Sequence, residues 1–424
     1  MGELIKEISK EKVLNEAERC LKCKNPRCRN ACAVSTDIAT IIDLFLKGKD
    51  HEAGKILFEN NPLSSICSII CPHENNCYGN CILGNKTTPV PFYEIERYIS
   101  EKYISNFEMD IPIKNGMKIA VIGAGPAGIS MSIFMAQRGF HVTLMEAQEK
   151  IGGVLRYGIP EFRLPKDRVD VYSDVLKKLG VVIKPNCHIG SNLLIDDMFV
   201  DGYDAIFLAV GTAKPNRLGL VGETLGNVHF AIDFLKSPKA YDLGKTVAVI
   251  GAGNVAMDVA RTAVRQSGVE KVILINNRRE EDVTATKKEY DQALKEGVEC
   301  IHLMSVLKIT SEGLVAVDVE AVPNENTIIY EENMQSNHFI KADTVILSIG
   351  QGPSDVLSEK AQIATTLRGL FRVDESGMTN IPGVFAAGDV VSGPKTVVEA
   401  VAHTKKVAEQ MVKYCYEHKS DNNL

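Results

Sequence analysis

Eight of the chain's 11 cysteines fall before residue 82, in two sets of four. Cys20, Cys23, Cys28 and Cys32 are spaced C-x2-C-x4-C-x3-C. Cys67, Cys71, Cys77 and Cys81 are spaced C-x3-C-x5-C-x3-C, with Pro72 directly after Cys71. In a reducing compartment, clustered cysteines are more often metal ligands than disulfides. Four thiolates commonly hold one iron–sulfur centre, and the fourth often arrives from elsewhere in the chain. Zinc is the structural alternative, but its usual pattern pairs two C-x2-C knuckles. Only Cys20 and Cys23 form one, so the spacing favours iron–sulfur. Cys187, Cys300 and Cys415 are scattered and read as small apolar core residues.

A chain of 424 residues predicts two or three domains. Hydrophobic content of 45% with 24% charged residues is ordinary for a soluble enzyme. The net charge of −6 argues against nucleic acid as a partner. No apolar run is long enough for a membrane span. The opening segment MGELIKEISKEKVL is charged and lacks a secretory apolar stretch. Lys6 stands where a myristoylation signal after Gly2 wants Ser or Thr. The expected location is the cytoplasm, which agrees with the metal reading of the cysteines.

Three regions follow from patterning. Residues 1 to about 110 hold the cysteines and predict short helices. Asp37 to Lys47 has apolar residues at Ile38, Ile41, Ile42 and Phe45, with Thr36 or Asp37 as cap. His51 to Glu59 reads as a second helix, stopped by Asn60-Asn61-Pro62. A loop around Ile111 to Gly116 comes next. Then Lys118 to Ile122, Ile129 to Arg138 and His141 to Met145 read as strand, helix and strand. The pattern recurs at Thr246 to Ile250, Val255 to Gln266 and Lys271 to Ile275, a repeat of architecture. Ala205 to Thr212, Thr344 to Gly350 and Gly383 to Asp389 are further strands, each ending at a glycine. A helix from about Thr396 to Tyr416 closes the chain. The first fold is therefore expected to be interrupted by the second and completed after it.

Each repeat carries a dinucleotide fingerprint. In GAGPAG, Gly123 allows the tight turn, Gly125 admits the pyrophosphate, and Gly128 lets the helix pack on the strand. Pro126 and Ala127 open that helix, whose amides face the phosphates. Glu146 ends the next strand, where an acid can bind a ribose hydroxyl. In GAGNVA, Gly251 and Gly253 precede Asn254, Val255 and Ala256, with alanine in the third place. The strand after it ends in Asn276-Asn277-Arg278-Arg279 rather than an acid. Arginine there accommodates the 2′-phosphate of NADP, so Arg278 and Arg279 favour NADPH, with NADH the alternative. Lys287 and Lys288 are further candidates but read more simply as charged surface. The second nucleotide region has no C-x-x-C to serve as a redox disulfide. Electrons must leave by another route, and the N-terminal cysteines offer one.

The segments AERCLKCKNPRC, ENNPLSSICSIICP, GAGPAG, GGVLRYGIPEFRLPK, GAGNVAMD and AAGDVVSGPKTVVEA together resemble the small (β) subunit family of glutamate synthase. That family includes the flavoprotein subunit of bacterial NAD(P)-dependent dihydropyrimidine dehydrogenase. The resemblance runs from about Ala17 to Met411. Ala33 departs from the proline the family usually has after the fourth cysteine.

The resemblance implies FAD in the first site, NAD(P)H in the second and two 4Fe–4S clusters. The implied fold class is α/β, with two Rossmann-like domains behind an α-helical iron–sulfur domain. The expected divisions are residues 1–110 for the clusters, 117–240 and 344–424 for FAD, and 241–343 for NAD(P)H. The family crosses its ligands: Cys20, Cys23, Cys28 and Cys81 for one cluster, and Cys32, Cys71 and Cys77 for the other. Cys67 and Glu96 both remain candidates for the last ligand. Gly153, Gly388 and Asp389 are implied near the flavin side chain, and Thr396 and Val397 near its ring. Glu161 and Arg163 lie in a segment expected near the flavin.

The function implied is an electron-input subunit that passes electrons from NADPH through FAD and clusters to a partner. The glutamate synthase large subunit is the first choice of partner. The dihydropyrimidine dehydrogenase catalytic subunit is the second and a ferredoxin-linked oxidoreductase the third. A reading of another class is a zinc-stapled scaffold that senses redox state.

Overall fold

The computed structural model describes residues 8–109, 112–191, 193–324 and 327–421. Most of the opening charged segment and Ile111, where the expected loop begins, lie outside them. The chain divides into two compact units. The first comprises residues 1–156, 161–212 and 352–424, and the second residues 157–160 and 213–351.

The first unit opens with helices α1 (Lys10–Glu18), α2 (Ile38–Leu46), α3 (Asp50–Asn60), α4 (Ser64–Ile70) and α5 (Phe92–Ser105). The apolar stripe expected on α2 is buried at Ile38, Ile41, Ile42 and Phe45. Asp37 caps it by accepting the Thr40 N–H. These residues form one core with Val13, Leu57, Ile95 and Ile99. Gly54 in α3 lets α5 approach, since a Cβ there would lie 2.6 Å from Tyr103 Cβ. Cys67 lies within α4, and the other cysteines of the two sets sit in short turns and at helix ends.

The first sheet follows as β1 (Lys118–Ile122), β2 (His141–Met145), β3 (Val182–Lys184) and β4 (Ala205–Leu208). Helix α6 (Pro126–Ala136) crosses from β1 to β2, and α7 (Asp167–Lys178) precedes β3. The second unit contains β5 (Val228–Phe230), β6 (Thr246–Ile250), α8 (Asn254–Val264), β7 (Lys271–Ile275), α9 (Lys287–Lys295) and β8 (Glu299–Ile301). An antiparallel set comes next: β9 (Met304–Thr310), β10 (Gly313–Asn324), β11 (Thr327–Glu332) and β12 (His338–Lys341). Then β13 (Thr344–Leu347) closes the second sheet. The chain returns to the first unit with β14 (Val384–Ala386) and α10 (Val397–Asp421).

The first sheet has the order β14-β4-β1-β2-β3 and the second β5-β13-β6-β7-β8. The pairs are parallel, and β1 and β6 are almost wholly buried, as continuous apolar strands in such sheets should be.

The structure differs from the expected divisions in three places. Residues 344–347 pair in the second sheet, with Thr344 opposite Val247 and Leu347 opposite Ile250, rather than resuming the first fold. A run such as TVIL fits any buried parallel sheet, and only pairing decides which. Residues 213–240 belong to the second unit, where β5 pairs with β13. The cysteine-bearing helices cluster with the first sheet instead of standing alone. Tyr172 of α7 accounts for part of this: its hydroxyl donates to Pro62 O at 2.9 Å and contacts Ser65 Oγ at 2.8 Å. Among the described residues, no helix is long and apolar enough to cross a membrane.

Candidate cofactor sites

The eight cysteines line two chambers in the first unit. Cys20, Cys23, Cys28, Cys77 and Cys81 face the first, which encloses about 580 Å³, part of it continuous with solvent. Cys32, Cys67, Cys71 and Cys77 face the second, of about 370 Å³, together with Glu96 and Val398. Ile38, Cys77 and Phe92 belong to both walls. Among the described residues, no three His, Cys, Asp or Glu side chains are placed around a single ion.

Burial raises the Cys20 thiol above its ordinary pKa and pushes Cys28 up to about 11. It raises Cys77 further still. Cys67 is held down by a hydrogen bond with Cys71, which is raised in turn. Buried Glu96 is driven well above the carboxylate range by desolvation, then by nearby Cys67. In such pockets these groups stay protonated unless a compensating positive charge displaces their protons. Thiolate donors around a cation-bearing cluster meet that condition, so the residues fit such a group.

The first glycine loop leaves no room for a side chain at Gly123 or Gly128. Gly123 has φ of +96°, and a Cβ there would lie 2.4 Å from Ala209 O. A Cβ on Gly128 would lie 1.8 Å from Gly123 O, so α6 rests directly on the loop. Pro126 occupies the first turn of α6, where no N–H is required. The turn at Gly152 and Gly153 closes onto the loop: Gly152 N–H donates to Ala124 O at 2.8 Å. A Cβ on Gly153 would lie 2.7 Å from Gly125 Cα. This cradle suits the close approach of a pyrophosphate.

Glu146 plays a part the sequence did not show. Its Oε2 accepts the Ala124 N–H at 2.8 Å and its Oε1 the Gln148 N–H at 2.8 Å. It clamps the loop, and each oxygen keeps a lone pair for a ribose hydroxyl.

Gly388 reaches the same place from the end of β14. Its φ is +79°, and a Cβ there would lie 3.1 Å from Ala127 Cβ. Asp389 accepts the Lys395 N–H at 3.2 Å, and burial pushes its carboxyl up to about 6. Thr396 donates to Glu399 Oε2 at 2.5 Å as Val397 begins α10. Glu161 Oε1 accepts the Lys166 N–H at 3.2 Å, and Arg163 lies in the same segment.

In the second unit Gly251 has φ of +138°, and a Cβ there would lie 2.1 Å from Ser348 O. Gly253 caps α8, which starts at Asn254, with Val255 next and Ala256 fully buried. A strap crosses the loop: Ala285 N–H donates to Ala252 O at 3.0 Å and Thr286 N–H to Asn254 Oδ1 at 2.9 Å. The two arginines separate. Arg279 is paired with Asp282 at 2.7 Å and Glu281 at 3.2 Å. Arg278 lies over the Tyr330 ring, 6.0 Å from its centroid, with no ion pair among the described residues. Lys287 is exposed and meets Asp291 at 3.4 Å, and Lys288 is exposed, as surface residues would be.

Residues 117–404 match the family described as pyridine nucleotide-disulphide oxidoreductase. Residues 1–107 match dihydropyrimidine dehydrogenase domain II, 4Fe-4S cluster. The chain is 30% identical, over 97% of its length and 93% of the relative's, to the glutamate synthase (NADPH) small chain of Escherichia coli K12. The chain belongs to the glutamate synthase small-subunit family of pyridine nucleotide-disulphide oxidoreductases.

This member is also 31% identical to the NAD-dependent dihydropyrimidine dehydrogenase subunit PreT of E. coli K12, over 95% of the chain and 94% of that relative. Its fold is similar to that of Mycobacterium tuberculosis FprA in complex with NADPH, with a TM-score of 0.61 and 18% identity over 72% of this chain and 86% of that one. The small-subunit family member is an NAD(P)H-dependent oxidoreductase that uses FAD and 4Fe–4S clusters. That family assignment replaces zinc at the cysteines.

Sequence reasoning missed Tyr330, which comes from the antiparallel set and shares no motif with Arg278. It also missed the polar contacts behind the arginines. Asn276 donates to His302 Nδ1 at 3.1 Å, which leaves Nε2 to serve the Tyr290 hydroxyl at 3.0 Å. Asn276 Oδ1 accepts the Arg278 N–H at 3.0 Å, shaping the turn that carries Arg278.

Proposed function

We propose that this protein is the electron-input subunit of a two-component reductase, taking NADPH at the second glycine loop and delivering electrons to a separate partner chain. The observation that carries the reading is the pair of cysteine chambers, joined through Cys77 and built into the same compact unit as the first glycine loop. The chemistry supplied by the bound cofactors is hydride transfer from nicotinamide to flavin and one-electron relay by the clusters.

The residues serve by position and charge. Gly123, Gly125, Gly128 and Gly153 admit the FAD pyrophosphate, Glu146 takes a ribose hydroxyl, and Gly388 and Asp389 border the side chain. Thr396 and Val397 present the start of α10 to the flavin ring, and neighbouring Val398 lines the second chamber. Cys20, Cys23, Cys28 and Cys81 share the first chamber and are proposed as ligands of one cluster. Cys32, Cys71 and Cys77 share the second, with Cys67 or Glu96 completing its set. Gly251, Gly253 and the start of α8 at Asn254 receive the nicotinamide dinucleotide, and Arg278 meets its 2′-phosphate. No proton donor is needed for hydride transfer, so no catalytic acid or base is assigned.

The proposed partner is a glutamate synthase large subunit, which would convert glutamine and 2-oxoglutarate to glutamate. Arg278, which forms no ion pair among the described residues, supports it, because the glutamate synthase relative is named for NADPH and PreT for NAD. A dihydropyrimidine dehydrogenase catalytic subunit is the second reading. Anaerobically purified protein should show flavin bands over broad brown absorbance, both bleached by NADPH. A colourless, zinc-containing preparation sinks the proposal. An anaerobic pull-down from the native host then separates the partners: an amidotransferase chain supports the first and a pyrimidine-reducing chain the second.

A further inference from the structure

The second chamber borders a polar chain with no role in the electron path as proposed. Lys405 on α10 places Nζ 2.7 Å from Asn60 Oδ1, at the end of α3. Asn60 Nδ2 is 3.3 Å from Thr36 Oγ1, and Thr36 Oγ1 is 3.4 Å from Cys32 Sγ. Thr36 is only 2% exposed. Chemistry at its two ends sets the direction of the chain. A lysine ammonium can only donate, so the amide oxygen of Asn60 must face it. The amide nitrogen then faces Thr36 and donates to its hydroxyl oxygen. A cluster-bound Cys32 sulfur carries no proton and can only accept, so with that ligation the single hydroxyl proton of Thr36 goes to it. Three donors then point one way and end at the Cys32 sulfur.

We infer that Thr36 raises the reduction potential of the cluster held by Cys32, with Asn60 and Lys405 as positioning residues that aim its hydroxyl. The inference rests on the proposed assignment of Cys32 to the second cluster. Reduction adds negative charge that the sulfurs share, and a hydrogen bond to sulfur stabilises that form. Each bond in the chain polarises the next, so the lysine charge strengthens the final donor. The first chamber has a different device: Cys81 receives the backbone N–H of Val90 at 3.5 Å, which no side-chain substitution removes. The two clusters are thus tuned by separate means.

The test is a redox titration of the anaerobically purified full chain, followed by electron paramagnetic resonance. Thr36→Val should make the second cluster harder to reduce, lowering its reduced-to-oxidised ratio about tenfold at fixed poise, or about 59 mV for one electron. Lys405→Met should shift it the same way by less, and Thr36→Ser should restore the wild-type midpoint. An unchanged midpoint in Thr36→Val with full iron content overturns the inference. If Thr36→Val sheds the cluster, Lys405→Met decides: a negative shift supports the inference and a wild-type midpoint overturns it. Cys32→Ser checks the underlying assignment separately. Wild-type iron content and spectra in that variant would mean the ligand reading itself has failed.

Discussion

The two sheets share the order of their four inner-repeat strands and differ at the tip of one of them. In both, the strand leading into the glycine loop lies between the next strand of the repeat and the strand that closes the crossover. At the tip of β2 stands Glu146, whose carboxylate holds the loop N–H of Ala124. At the tip of β7 stands Asn276, which turns the chain so that Arg278 lies over the Tyr330 ring, with no ion pair among the described residues. An acid suits a ribose hydroxyl and repels a phosphate, while an arginine does the reverse. A repeated scaffold can therefore suit two different dinucleotides by changing the residues just past one strand tip and leaving the sheet alone.

The strongest way to break the comparison is to fill each loop. Gly123→Val should abolish FAD retention, and Gly251→Val should abolish NADP⁺ binding while FAD stays bound. Both place a side chain into backbone at a positive φ, where strain alone costs about 1–3 kcal/mol. Flavin absorbance after desalting and NADP⁺ calorimetry read the two outcomes, and loss of both cofactors in both variants would deny that the loops work separately.

Next in size is the charge at the second tip. Arg278→Ala should lower the NADPH-to-NADH ratio of kcat/KM by about ten- to a hundredfold, or about 1.4–2.7 kcal/mol. Arg279→Ala, already paired with acids, should change it by less than about threefold. A ratio unmoved by Arg278→Ala would remove the arginine from the phosphate site.

Acid should separate the units by about 1–3 kcal/mol. Burial raises Glu296 in the second unit, but hydrogen bonds from Arg265 and Arg261 outweigh it and leave its pKa at about 2. Its stabilisation is complete above the usual 4.5 and is lost as pH falls towards 2. Asp389 in the first unit is raised by burial from 3.8 to about 6. Its penalty is complete above 6 and disappears as pH falls to 3.8. Hydrogen exchange on the apo protein from pH 6 to 3 should therefore show the second unit loosening first. Glu296→Gln should erase that difference.

The smallest effect is expected at Tyr330→Leu, which removes the platform beneath Arg278. It should weaken NADP⁺ binding about threefold and leave NAD⁺ binding unchanged. Equal losses for both nucleotides would make Tyr330 merely structural.

The strands and loops of both sheets could be read in advance because buried parallel strands are continuous apolar runs ending at glycine. KIAVI and TVAVI show this at the positions observed. Sheet membership could not be read that way. Ala205–Leu208 and Thr344–Leu347 look alike as sequence, and only pairing with different neighbours puts them in different units. Within the sites, fingerprint glycines and cysteines declare themselves by spacing. Tyr330 and the line from Lys405 through Asn60 to Thr36 do not, because they meet across loops of unrelated length. Signals were nevertheless present in part. The alternation of VAVDVEAV marks β10, and β10 leads into the strand that carries Tyr330.

The interruption of the first unit by residues 213–351 has a consequence for biosynthesis. Domains generally fold as they emerge, the N-terminal one first. Here the order reverses, because the first sheet lacks edge strand β14 until residues 384–386 have been made. Helix α10, which packs on α6, comes later still. The second unit can mature on the ribosome while the first is unfinished. The wall of the second chamber is thus complete only once Val398 of α10 has been made, whereas the first chamber is lined by residues 20–92 alone.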